Sequence, residues 1–181
     1  MGGVSEAAWY LDQVMPKFGD DPEARLAAEE LLDHVGRLMQ FGVARNDEAD
    51  VSLWTPRRGA RVAVALVDAF ESVAGIGRAM RIVEELRTAE AHEGGGPGGL
   101  LCVLAGEIRR RPIEQLLEVR RMSQAVRVVG LASMVALARA VEAGTLSPDA
   151  AAAVLEPGVF ADPIVAQITG ERGAPGAAGT W

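Results

Sequence analysis

Residues 61–68, RVAVALVD, end an apolar run on a carboxylate. On a buried strand, Asp68 would hold a metal ion through water beside a bound nucleotide. That chemistry also requires a glycine-rich loop closed by Lys and Ser or Thr, whose backbone N–H groups cradle the phosphates. The single lysine, Lys17, lies in MPKFG, outside any such loop. Asp68 therefore reads as a surface carboxylate. GIGRAM, residues 75–80, has two glycines of a dinucleotide-binding turn but Met80 where the third would stand. HEGGGPGG, residues 92–99, could aim backbone N–H groups at an oxyanion. Its partner would be a serine in a G-x-S-x-G turn, and the nearest text, GLASMV around Ser133, does not fit. A flexible hinge is the simpler reading of that glycine run.

Metal chemistry has a sparse donor set. Glu30 and His34 stand one turn apart on a helix with Asp33 adjacent, and Glu90, His92 and Glu93 cluster later. Facing helices could bring the two groups together. The Glu-x-x-His pairs of di-iron bundles are absent, and a lone Glu–His pair at that spacing is usually a solvated contact. No metal, cofactor or catalytic residue is assigned. Cys102 sits among aliphatic neighbours in GGLLCVLAG, which makes it an inert core thiol and not a nucleophile. As the only cysteine, it excludes an internal disulfide.

Charge is unevenly spread. The whole chain carries −7, which argues against nucleic-acid binding by the protein as a whole. Residues 1–50 hold 11 acids and four bases. Residues 100–127 hold Arg109, Arg110, Arg111, Arg120, Arg121 and Arg127 against three glutamates. Interleaved glutamates and a lack of nearby aromatics for base stacking favour a solvated or protein-paired arginine face over a nucleic-acid one.

The elements that must position these residues read as helices. Ser5 would cap residues 5–15, and Asp21 with Pro22 opens the next helix. Thr55-Pro56 looks like a further start, after which Val62, Leu66, Phe70, Val73, Ile76, Met80, Val83 and Leu86 recur every three or four residues. That spacing predicts one long helix over residues 56–92. LLCVLAG suggests a short apolar helix. Pro112 opens a second long helix, through Val128, Leu131 and Val135 to a stop at Gly144. Ser147-Pro148 and Asp162-Pro163 begin two short helices, and residues 173–181 form a disordered tail ending in Trp181.

The expected fold is all-α: an elongated helical bundle with two long helices, several short capped helices and a disordered C-terminal tail. Its divisions are a helical region over residues 1–93, a glycine hinge at 94–99, a second helical region over 100–172 and the tail. At 1.5 Å per residue the long helices would reach roughly 45–55 Å, so their apolar stripes would need partners. The function expected is a non-catalytic scaffold or adaptor that self-associates and recruits a protein. The arginines named above, with Val128, Leu131, Val135 and Trp181, would make the contacts. The alternatives are a small α/β enzyme or ligand sensor, and a nucleic-acid-binding regulator using residues 109–127. No secretory leader or membrane span is visible in the sequence, so a cytoplasmic location is the default.

Overall fold

The computed structural model describes residues 21–46, 51–57, 59–90 and 96–170. It corrects the expected helical bundle to an α/β fold. Helix α1 (Pro22–Leu38) precedes β1 (Gly42–Asn46), β2 (Val51–Thr55) and β3 (Val62–Asp68). Then come α2 (Ser72–Glu90), β4 (Gly99–Ala105), α3 (Arg110–Val119) and β5 (Val126–Gly130). Helices α4 (Leu131–Glu142), α5 (Pro148–Val154) and α6 (Asp162–Thr169) follow. The five strands form one sheet in sequence order. The β1–β2 and β2–β3 pairs are antiparallel, while β3, β4 and β5 run parallel. Residues 158–161 extend the sheet edge: Val128 donates to the Val159 carbonyl and Ala161 donates back to the Val128 carbonyl.

The first long helix fails at β3, and the reason is burial on both faces. Val64 and Leu66 join the core beneath α1 and α4, whereas Ala63, Ala65 and Val67 face α2 and α3. A strand covered on both sides is apolar at every position, so its sequence loses the alternation that marks a half-exposed one. The three- and four-residue spacing at Val62, Leu66 and Phe70 was coincidental, as Phe70 is 88% exposed. Strand β4 has the same cause, with all seven residues buried, and the short helix expected there is a strand. The second long helix divides into α3, β5 and α4. The longest helix described, α2, has 19 residues, or about 28 Å.

Local signals survive. The Asp21 side chain accepts from the Glu23 N–H at 2.9 Å, with Pro22 in the first turn. Ser147 likewise caps α5 through the Ala150 N–H, and Gly144 leaves α4 with φ of +70°. Asp162 opens α6 in sequence but caps a different helix: its Oδ1 accepts from the Gly130 N–H at 2.9 Å and from Ser133 Oγ at 2.7 Å. It thereby satisfies the start of α4 from 32 residues away.

Gly75 explains why a helix former is missing from α2. A Cβ there would lie 2.4 Å from Val67 Cγ1, so glycine lets α2 rest directly on β3. No helix among the described residues is long and apolar enough to cross a membrane.

Candidate functional site

Strands β3, β4 and β5 end together, at Asp68, Ala105 and Gly130. Ligands of open parallel sheets collect at this carboxyl edge, where loops project beyond the strands. Asp68 is half-buried, and its Oδ1 accepts from the Phe70 N–H at 2.8 Å. That bond folds the turn into α2 and leaves Phe70 projecting into solvent.

Helix α3 starts unusually at the same edge. Arg109 occupies the capping position without a side-chain cap, and the first turn contains no acid. Arg109, Arg110 and Arg111 are all exposed there, and among the described residues none is in an ion pair. Helix N-termini carry partial positive charge and unpaired N–H groups, so adjacent cations oppose the helix by roughly 0.3–1 kcal/mol each. The same arrangement favours an anion. Two aromatic rings flank it: the Arg109 guanidinium lies 5.6 Å from the Phe70 ring centroid, and that of Arg110 lies 5.3 Å from Phe160. These are cation–π distances. The exposed Glu107 and Glu114 moderate the local charge without cancelling it.

The six arginines grouped in the sequence do not form one face. Arg120 and Arg121 follow the far end of α3, where cations suit the helix dipole. Arg127 is half-buried and donates through Nε to the Glu156 carbonyl. Burial lowers its pKa, and Glu156 partly opposes that. Val128, Leu131 and Val135 are at most 2% exposed, packed within this chain's own core. Trp181 lies outside the described residues. Sequence reasoning missed Phe70 by assigning it to an apolar stripe, and never placed Phe160. The available signal was an aromatic two residues beyond a strand-ending carboxylate.

A second polar groove, of about 150 Å3, opens between α1 and β2. Its carboxylates already have partners. Glu29 receives Arg25 Nε at 3.0 Å and Arg45 Nη2 at 2.6 Å. Asp33 receives Ser52 Oγ at 2.7 Å. Val64 and Leu66 form part of its lining. Glu30 is exposed and His34 half-buried. His92 and Glu93 lie outside the described residues, as does the side chain of Glu90. Among the described residues no group of three His, Cys, Asp or Glu side chains is placed to hold a metal. Cys102 is fully buried, which pushes its thiol pKa up to about 12.

No family model matches the sequence, and no curated protein matches it. Among solved structures, the chain is similar to restriction endonuclease FokI, with a TM-score of 0.55 and 11% identity. The match covers 83% of this chain and 30% of that one. At that identity the likeness shows the fold alone: this α/β domain is built like part of a larger restriction endonuclease.

Proposed function

We propose that this domain binds single-stranded nucleic acid at the start of α3. A phosphate would sit against the helix N-terminus and Arg109, Arg110 and Arg111, and unpaired bases would stack on Phe70 and Phe160. The carrying observation is the pairing of consecutive arginines with two aromatic rings at an uncapped helix start. The sequence argument against nucleic acid rested partly on missing aromatics, and the fold supplies them from residues 39 and 50 positions away from their arginines. The net charge of −7 opposes binding over the whole surface but not a short contact at one locally basic corner. Likeness of fold to a restriction endonuclease supports the same reading.

The reading is of binding without cutting. Metal-assisted phosphodiester hydrolysis needs carboxylates available to a divalent ion. Among the described residues, the carboxylates of the groove between α1 and β2, Glu29 and Asp33, are instead held by arginine and serine donors.

A fluorescent oligothymidylate tests this by anisotropy across a salt series. Three phosphate contacts give a slope of log affinity on log salt of about −2, at roughly −0.7 per contact. The triple change Arg109→Ala, Arg110→Ala, Arg111→Ala should remove the binding. No binding at 20 mM salt, or binding indifferent to those substitutions, sinks the proposal. Cleavage of the oligonucleotide by purified protein in magnesium or manganese would refute the non-cutting part.

A further inference from the structure

We infer that the groove between α1 and β2 binds a compact aliphatic ammonium ion, with Asp33 as its counterion. Asp33 lines this groove and is only 6% exposed. Buried charges are ordinarily paired, because a lone one loses its hydration and gains nothing in return. Glu29, one turn earlier on α1, follows that rule through Arg25 and Arg45. Asp33 does not. Ser52 Oγ, a neutral donor, engages its Oδ1 at 2.7 Å, and no described residue donates to Oδ2 or brings it a cation. The described side-chain atoms that are both unpartnered and sealed from solvent are Trp54 Nε1 and Asp162 Oδ2. Asp33 Oδ2, unpartnered but outside that pair, therefore keeps accessible surface, and the groove is the space its residue lines.

The remaining walls set the size and body of the ligand. The groove holds about 150 Å3, a volume that elsewhere accommodates benzene, or about six heavy atoms. Leu26, Leu32, Val51, Val64 and Leu66 offer apolar surface to an alkyl chain. A bare metal ion fits poorly. One free carboxylate oxygen is far short of the oxygen shell that calcium or magnesium takes, and among the described residues no three His, Cys, Asp or Glu side chains are placed to hold a metal. An anion would meet the charges of Glu29 and Asp33. The groove uses no residue of α3, so this site does not depend on oligonucleotide binding.

Isopentylamine and isopentyl alcohol share a carbon skeleton, and only the amine is charged at neutral pH. Each would be titrated into 15N-labelled full-length protein while the Ser52 and Val64 amide signals are followed, two groove residues paired across β2 and β3. The amine should shift both signals to saturation. The alcohol should bind at least about tenfold more weakly, the worth of one hydrogen bond to a charged group. Asp33→Asn keeps the shape and should abolish that preference. Ser52→Ala is an independent arm, read at Val64: it weakens the fold yet frees Oδ1, so the amine should bind about fivefold more tightly for one further hydrogen bond. A purely structural Asp33 would gain nothing from that change. Shifts that never saturate, equal affinity for amine and alcohol, an undiminished preference in Asp33→Asn, or amine binding no tighter in Ser52→Ala overturns the assignment.

Discussion

The Ser52 hydroxyl donates a 2.7 Å hydrogen bond to Asp33 Oδ1, and both residues are buried. This contact ties α1 to β2 beside the polar groove that opens between them. Ser52→Ala leaves a buried carboxylate oxygen without its donor, at a cost of about 1–3 kcal/mol. Urea unfolding should show the loss, and in an Asp33→Ala background the same serine change should cost much less. Additive losses would mean the bond contributes nothing of its own.

Gly75→Ala should destabilise the protein although alanine is the better helix former. The added Cβ meets Val67 Cγ1 at 2.4 Å, and overpacking of a buried strand costs about 1–3 kcal/mol. Helix propensity returns about 1 kcal/mol. Gly77, with nothing within 4 Å of an added Cβ, is the control: Gly77→Ala should raise the melting temperature or leave it unchanged. A more stable Gly75→Ala protein would mean that α2 does not rest on β3 as described.

Phe70→Ala separates binding from folding. The side chain is 88% exposed, so stability should change by less than about 0.5 kcal/mol. Oligonucleotide affinity should fall by the worth of one stacked base, about 1–3 kcal/mol, and Phe70→Trp should restore it. Unchanged affinity in Phe70→Ala would remove the stacking role.

Cys102 makes a pH signature. Its thiol pKa rises from the ordinary 9.0 to about 12 because burial disfavours the thiolate. Between those values the unfolded chain has lost the proton that the folded one keeps. Stability from this group is therefore complete below pH 9 and falls through pH 9–12, by roughly 1.4 kcal/mol per unit. Cys102→Ala or Cys102→Ser should flatten that alkaline decline. Native protein should react with a disulfide reagent only as fast as it unfolds, and rapid labelling at pH 8 would contradict the burial.

The sequence by itself determined features whose causes lie within a few residues. Asp21 with Pro22, Ser147 with Pro148, and Gly144 read correctly because a cap is a contact between neighbours along the chain. The inert setting of Cys102 was legible too, since aliphatic residues on both sides of it leave little but a core. Tertiary structure decided whether 62–68, 99–105 and 126–130 are strands. A run covered on both faces has no exposed side to print a period in its residues, and its parallel partners are segments over 20 residues away. It also decided which arginines act together. Arg109 and Arg110 acquire Phe70 and Phe160 only because three parallel strands end at one edge, whereas Arg127, close by in sequence, turns to Glu156.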